Sequence, residues 1–271
     1  MENKVVGFIG AGNMAFAIAK GIISSGFLSP KNIIASARTR VRLDTIWKEL
    51  GVATTTDNIE VINQADIIIL AVKPFVLSSI LDQIKGVGGL TSKLFISIAT
   101  GVTLETIQTR LLGCKVIRTM PNTPCLVQCG VVLYVCGSLC SKEDSDFVKL
   151  FFKCTGIVEE VDENHIDAMT SIMGCSIAWY YMVVEAMSDG GVMNGVPRGA
   201  AYMLAAKSME GAARMLLETG KHPGELKDAV TSAGGSTIRG VNELEASGIR
   251  GAFMRAVTSA TQRNIELSRL K

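Results

Sequence analysis

An α/β N-terminal domain followed by an all-α C-terminal domain is what the sequence predicts, and three observations carry that expectation. Short apolar runs bounded by turn signals recur through the first part of the chain. A glycine motif stands at the end of the first run, and strand signals stop near Asp162 while helical periodicity continues. Strand and helix patterns in alternation predict a mostly parallel sheet with helices on both faces. At 271 residues two domains are expected, with residues 1–161 bearing the sheet and residues 162–271 helical.

The apolar runs are "KVVGFI", "NIIAS", "DIIILAV", "KLFISIA", "KVIRTM", "GVVLYV" and "GIVEEV". In "VVGFIGAGNMAFAIAKGI", Gly10, Gly12 and Ala15 form G-x-G-x-x-A between an apolar strand and an Ala-rich helix. That placement, more than the glycines alone, marks a Rossmann-type NAD(P)-binding domain. Gly10 permits the tight turn, Gly12 lets the backbone approach a pyrophosphate, and Ala15 keeps helix and strand close. Ile9, Gly10, Ala11, Gly12, Asn13 and Met14 are therefore candidate cofactor contacts; an ordinary turn of small residues is the alternative.

An acid at the end of the second strand would hydrogen-bond the ribose of NAD. The sequence instead reads "ASARTRVR", placing Ser36, Arg38, Thr39 and Arg40 where a 2′-substituent arrives. Guanidinium and hydroxyl groups suit a phosphate, so NADPH is the expected cofactor, with NADH still possible. A solvated helix start would use the same arginines. "AVKP" (Ala71, Val72, Lys73, Pro74) and "MPNTP" follow later strands at their carboxyl ends, where this fold holds its ligand. Pro121 and Pro124 stiffen the second of these turns and leave Asn122 and Thr123 as polar groups for the nicotinamide ring.

Bulk properties exclude several classes of function. Hydrophobic residues make up 48% and charged ones 19%, as in an ordered globular protein. Lys and Arg total 27 against 25 Asp and Glu without a block of like charge, so neither nucleic acid nor an anionic membrane is an expected partner. Small molecules and copies of the chain are. The start "MENKVVGFIGAG" carries no leader pattern, which points to the cytoplasm. The uncharged run between Asp167 and Glu185 is shorter than the roughly 20 residues of a membrane span and reads as a buried core helix. Seven cysteines, an odd number, read as free thiols. Cys125, Cys129, Cys136 and Cys140 form two i, i+4 pairs but lack the C-x₂-C knuckle of a zinc site, so no metal is expected. His165 and His222 read as surface or capping residues.

Beyond Asp162, "MTSIMGCSIAWYYMVVEAMSDGGV" predicts one long apolar helix ending at Gly190 and Gly191, and "RGAAYMLAAKSMEGAARMLLE" a second, stopped by "TGKHPGEL". Small residues and methionines at near-continuous spacing predict burial on more than one face, in a bundle or subunit interface, and hence a dimer. "RGAFMRAVTSATQRNIELSRL" predicts a further packing helix. Between them, Val230 to Thr237 precede a helix. The amides around Gly234, Gly235 and Ser236 stand at its positive end, with hydroxyls of Thr231, Ser232 and Thr237 nearby, an arrangement that attracts a carboxylate. The dipole contributes only about 0.3–1 kcal/mol, so several amide and hydroxyl bonds are needed. A hydroxyl-capped helix start is the plain alternative.

"GFIGAGNMA", "AVKP", "MPNTP", "DGGVMNGVPR", "HPGELKDAVTSAGGSTI" and "LEASGIRGAFMRAVTSATQR" resemble, in order and over essentially the whole chain, the signature blocks of pyrroline-5-carboxylate reductases. The resemblance implies reduction of 1-pyrroline-5-carboxylate to L-proline with NAD(P)H, the last step of proline biosynthesis. It implies a helical C-terminal domain that interleaves with a partner's, in dimers often assembled into decamers. By the same resemblance Val230, Thr231, Ser232, Gly234, Gly235, Ser236 and Thr237 line the substrate pocket, with Thr237 near the substrate nitrogen as the catalytic residue. Asn58, Ala99 and Thr100 complete the candidate cofactor contacts. The chain departs from the family pattern at Ala233, where S-P-G-G has proline, at Ile177, where G-S-G-P-A-Y has proline, and at Thr100, where A-A-G-V has alanine. Two other readings stand beside this one. One is a related imine reductase or β-hydroxyacid-type dehydrogenase, although the lysine pattern of the latter is missing, Lys207 being followed by "SMEG". The other is a non-catalytic NADP(H)-binding sensor.

Overall fold

The computed structural model describes residues 4–269, so the outer limits of the two expected domains, residues 1 and 271, lie outside the described residues. The first part runs β1 (Val6–Ile9), α1 (Asn13–Ser24), β2 (Ile33–Ser36), α2 (Arg40–Arg42), β3 (Ala53–Thr55), α3 (Asn58–Gln64), β4 (Ile67–Leu70), α4 (Pro74–Ile84), β5 (Leu94–Ser97), α5 (Leu104–Gln108), β6 (Lys115–Pro121), β7 (Gly130–Cys136), α6 (Lys142–Phe152) and β8 (Gly156–Glu160). The helical part is α7 (Glu163–Thr170), α8 (Ser176–Met193), α9 (Arg198–Thr219), α10 (Pro223–Ala229), α11 (Ser236–Ala246) and α12 (Ile249–Arg269).

The strands form one eight-stranded sheet in the order β3-β2-β1-β4-β5-β6-β7-β8. Strand order reverses between β1 and β4, the switch point at which such sheets open a crevice at their carboxyl ends. β1, β2, β4 and β5 are buried at every position, as expected where helices cover both faces. On one face α1 and α6 pack Ile18, Ile22, Phe147 and Phe151 into the core beside Trp47. On the other, α3, α4 and α5 contribute Val61, Ile62, Leu77, Leu81 and Ile107. The sheet is parallel except for β6 and β7, which are antiparallel. The Asn122–Cys129 connection is too short for the crossover that a parallel pair requires. Every expected strand is present, and β3 is an addition that its three largely polar residues conceal.

By contacts the chain divides into two compact units, one built from residues up to Gly174 together with the segment from Thr261 on, the other being Cys175–Ala260. The first holds the sheet and α7. Within it, buried Arg118 on β6 donates to Glu163 at 2.8 Å and to Asp167 at 3.4 Å, and Ser268 donates to Asp167 at 3.2 Å. Asn264 reaches the Asp167 carbonyl at 3.0 Å and the Ser171 hydroxyl at 3.1 Å, so α7 is bonded to both the sheet and the end of α12.

The helices from α7 onward correct three expectations. The long apolar stretch is not one α-helix, because a π-helical turn, Ser171–Cys175, stands between α7 and α8. Gly190 and Gly191 do not end α8. The chain continues to Met193 and closes at Gly195, φ +87°, with Val196 N–H donating to the Gly191 carbonyl and Gly195 N–H to that of Val192, both at 3.0 Å. This double bond around a left-handed glycine is the Schellman closure. Finally, the run read as a buried core helix is not buried within the chain, and the open faces agree with the subunit interface also expected: only Ser176 and Ser188 of α8, and Ala201 and Ala205 of α9, are buried, while Tyr181, Met182, Met193 and Leu217 stand open. α9 ends at Gly220 as expected, and His222 caps α10 by accepting from Gly224 N–H at 3.1 Å. No helix among the described residues is long and apolar enough to cross a membrane.

One cap carries a testable charge. Ser141 and Asp144 form a reciprocal capping box at the start of α6, and Lys115 on β6 meets the Asp144 carboxylate at 2.9 Å. Burial pushes the Asp144 carboxyl up, but bonds from Lys115 and Ser141 outweigh it and hold it below the ordinary carboxylate range. A lowered carboxyl adds stability above its unfolded-state pKa and loses it as pH falls through the folded value. Asp144→Ala is expected to cost about 1 kcal/mol at neutral pH. In thermal unfolding across pH, that gap should narrow as pH falls below 3.8, the ordinary value.

Candidate functional site

Each glycine of the G-x-G-x-x-A motif does a different job. Gly10 leaves β1 at φ +107°, and a Cβ there would lie 2.6 Å from the Ala71 carbonyl oxygen. Its N–H donates to the Ser36 carbonyl at 3.0 Å, while Ala71 N–H donates to the Ile9 carbonyl at 2.8 Å, so the turn is stitched to the ends of both β2 and β4. Gly12 has an extended backbone, φ −74°, that any residue adopts. No protein atom lies within 4 Å of the Cβ it lacks. What Gly12 leaves is open space beside the first turn of α1, whose N-cap has no side chain to satisfy the amides and whose first turn holds no acid. Those amides and that space fit a pyrophosphate. Ala15 is buried at 1% exposure against the sheet, as the motif requires. Asn13 is exposed and Met14 half-buried. Ile9 and Ala11 are buried, and the Ile9 carbonyl accepts from Ala71 N–H while that of Ala11 accepts from Arg42 and Trp47.

The "ASARTRVR" segment divides. Arg38, Thr39 and Arg40 are exposed beyond the end of β2, and Arg40 reaches Asp44 only at 3.9 Å on the open surface. Ser36 is buried, and its hydroxyl donates to Asn58 Oδ1 at 2.7 Å. Asn58, half-buried, accepts that bond and donates to Gln83 at 2.9 Å.

The segments beyond β4, β5 and β6 reach the same carboxyl edge. Lys73 caps α4 through its backbone, with Pro74 in the first turn, and both are exposed, while Ala71 and Val72 are half-buried. Thr100 is exposed and Ala99 buried. Asn122 is buried in the turn beyond β6. Its amide donates to the Met173 carbonyl at 2.8 Å, and its oxygen accepts from Val131 N–H at 2.9 Å. With both ends engaged and 6% exposure, it anchors the turn and leaves Thr123 as the exposed polar group there.

In the second unit, Gly235 N–H donates to the Ser232 carbonyl at 3.2 Å, closing a turn over Ala233 and Gly234. Gly234 has φ +68° and Ala233 a negative φ, the pattern of a type II turn. α11 begins at Ser236 with Gly235 as N-cap, so Ser236 and Thr237 lie inside its first turn rather than ahead of it. Ser232, Ser236 and Thr237 are exposed, as is Val230. The Thr231 hydroxyl donates to the Lys227 carbonyl at 2.6 Å, at the end of α10. All seven cysteines are free, and burial pushes the thiols of Cys114, Cys125, Cys136, Cys140 and Cys154 up. Among the described residues no three His, Cys, Asp or Glu side chains are grouped to hold a metal ion.

The sequence reading missed residues that shape the site from behind. A Cβ on Gly7 would lie 2.4 Å from Val61, so glycine there lets α3 approach β1. Arg42 and Trp47 reach back to the Gly10–Asn13 turn from beyond β2. A glycine inside an apolar strand signals close approach; nothing in the spacing of Arg42 and Trp47 announces theirs.

Comparison with known proteins matches residues 163–267 to pyrroline-5-carboxylate reductase dimerisation domains, and residues 5–101 to a family described as coenzyme F420-dependent NADP oxidoreductases. A pyrroline-5-carboxylate reductase of Methanosarcina acetivorans is 44% identical over 99% of this chain and 100% of its own length. Among solved structures, one from Coxiella burnetii superposes with a TM-score of 0.91 at 32% identity, covering 98% of this chain and 99% of that one. A Plasmodium falciparum pyrroline carboxylate reductase with NADP bound gives 0.90 at 31%, covering 99% of each. With matches of this identity and coverage, the chain belongs to the pyrroline-5-carboxylate reductase family.

Proposed function

We propose that this chain reduces 1-pyrroline-5-carboxylate to L-proline with NADPH, in the cytoplasm and as a homo-oligomer built on a dimer. The carrying observation is that both helices of the G-x-G-x-x-A and S-A-G-G-S-T segments, α1 and α11, start on a glycine N-cap with uncapped first-turn amides. Each suits one anion of the reaction, the pyrophosphate of the cofactor and the carboxylate of the substrate. Full-length relatives named for this reaction support the same reading. Free cysteines throughout suit a reducing compartment. We place the functional boundary at 161/162, between β8 and α7, supported by the dimerisation match that begins at residue 163.

The residues present fit the dinucleotide. Gly12 leaves room for the pyrophosphate, and Arg38 and Arg40, exposed beyond β2, suit the 2′-phosphate of NADPH better than the bare ribose of NADH. Lys73, Thr100 and Thr123 are the polar side chains left open at the carboxyl edge. Reduced nicotinamide supplies the hydride for the C=N carbon when it is bound. The amides of Ser236 and Thr237, with the Ser232 hydroxyl, hold the substrate carboxylate. Saturating the imine also requires a proton at nitrogen. A threonine hydroxyl is too weak an acid to ionise unaided, so Thr237 orients the ring nitrogen and relays a proton from water. Most of the acceleration then comes from holding the ring in register with the donor.

The assay is NADPH oxidation by the purified protein with DL-pyrroline-5-carboxylate. Turnover is expected, falling about a hundredfold in Thr237→Ala with NADPH affinity unchanged; wild-type protein that binds NADPH without turnover would sink the reductase reading. Gly12→Ala should keep near-wild-type thermal stability while weakening NADPH about tenfold or more, because the methyl enters only ligand space. Gly10→Ala should instead destabilise the fold by about 1–3 kcal/mol, visible in denaturant melts without cofactor. Ala233→Pro places proline at the second position of a type II turn, where it is favoured. A stability gain of about 0.4–1 kcal/mol and a lower KM for the pyrroline are expected, and a raised KM would show that the loop must flex.

A further inference from the structure

The three arginines of "RTRVR" do not share one task. Arg38 and Arg40 are exposed, but Arg42 is half-buried and turned back toward the glycine turn. Its Nε donates to the Ala11 carbonyl at 3.0 Å and its Nη2 to Asn13 Oδ1 at 2.7 Å. The same Ala11 carbonyl accepts a second bond from Trp47 Nε1 at 3.2 Å. Trp47 is fully buried, and its ring packs at 5.6 Å from Phe8 and 6.0 Å from Phe16. One rigid donor and one charged donor therefore converge on a single carbonyl.

That convergence fixes a peptide plane. In a trans peptide the carbonyl and the following N–H point to opposite sides, and no peptide bond among the described residues is cis. Drawing the Ala11 carbonyl toward Arg42 and Trp47 therefore turns the Gly12 N–H the other way. The bond to Asn13 holds the first side chain of α1 from the same guanidinium. A planar fork makes both contacts at once, and a lysine ammonium, a point donor, does not reproduce them.

We infer that Arg42, with Trp47, is a positioning residue for the dinucleotide: it sets the Ala11–Asn13 turn that receives the pyrophosphate and takes no part in reading the 2′-phosphate. This rests on the dinucleotide site proposed above. Because NADPH and NADH share the pyrophosphate, a brace acts on both alike, whereas a ligand of the 2′-phosphate acts on NADPH alone.

The test is calorimetric titration of NADPH and NADH into the full-length protein carrying Arg42→Met, Arg42→Lys, Trp47→Phe or, as contrast, Arg38→Met. Arg42→Met is expected to raise the Kd of both dinucleotides by the same factor, about tenfold, the size of one lost charge-assisted hydrogen bond. Arg42→Lys should fall between it and wild type, and Trp47→Phe, which keeps the ring and removes the N–H, should weaken both by a smaller common factor. Arg38→Met should weaken NADPH alone. In the cofactor-free Arg42→Met protein, amide exchange should quicken across residues 10–14. A loss confined to NADPH in Arg42→Met would make Arg42 a phosphate ligand and overturn the brace, as would unchanged affinity for both. A wild-type protein that binds neither dinucleotide, yet shows the faster exchange in Arg42→Met, would overturn the site reading and leave Arg42 a purely structural clamp.

Discussion

The backbone approach at the end of β1 is the constraint on which the rest of the first unit depends. β1 lies between β2 and β4, and the Ile9–Gly10 peptide is bonded to the ends of both, Gly10 N–H to the Ser36 carbonyl and the Ile9 carbonyl to Ala71 N–H, while a Cβ on Gly10 would meet the Ala71 carbonyl. The fit admits one residue type at that point. Once it is made, the segments leaving β2 and β4 emerge side by side, bringing "ARTR" and "AVKP" to the same edge as the first turn of α1. Gly7 serves the same strand earlier by letting α3 lie close, which helps bury the face on which Val61 and Ala65 pack. A methyl group at either position would have to be relieved by moving backbone, and packed interiors absorb such shifts poorly.

The second unit depends on something outside the chain. α10, α11 and α12 have no fully buried residue, and the large apolar side chains of α8 and α9 are open. Each Leu, Met or Tyr moved from water into an interface contributes on the order of 1.5–3 kcal/mol. A second copy therefore supplies much of what holds these helices, and their stability is inseparable from assembly. Inside the first unit, Arg118 answers the two carboxylates of α7, and Asn264 and Ser268 tie the end of α12 to the same helix. A buried arginine facing two acids is held by mutual satisfaction, so removing Arg118 leaves both carboxylates without their cation.

Much of this was legible in the sequence because strong periodicity and glycine placement are local signals. The strands that β1, β4, β5 and β6 became are apolar runs with turn residues at both ends, and the Gly10, Gly12 and Ala15 spacing fixes the first turn. What stayed hidden was decided by partners distant in sequence. The bond of Ser36 to Asn58, and those of Asn122 to Val131 and Met173, join residues with no local signal for one another. The end of α8 was misplaced because two consecutive glycines look like a stop, whereas the left-handed residue that closes the helix is Gly195. The near-continuous apolar pattern of α8 and α9 left a bundle and a subunit interface open, and the exposure of these side chains within one chain favours the interface.

On the proposed reading, the two glycine N-caps are a shared solution to two binding problems. α3, α5, α6, α7 and α10 begin on Asp57, Thr103, Ser141, Asp162 and His222, whose side chains accept bonds from first-turn amides. α1 and α11 begin on Gly12 and Gly235, with nearly the same extended backbone, φ −74° and ψ 177° against φ −76° and ψ 174°, and with no acid in the first turn. A side-chain cap contributes about 1 kcal/mol to its helix, so leaving it out costs stability in the free protein. The donors so released are those that a phosphate or carboxylate can use, and a charged acceptor makes a hydrogen bond of about 1.5–3 kcal/mol. On the proposed reading the helix ends thus exchange intrinsic stability for anion affinity at both sites. Recognition then rests on backbone geometry, and side chains such as Arg38, Arg40 and Thr237 are left to discriminate between cofactors and to place the reacting nitrogen.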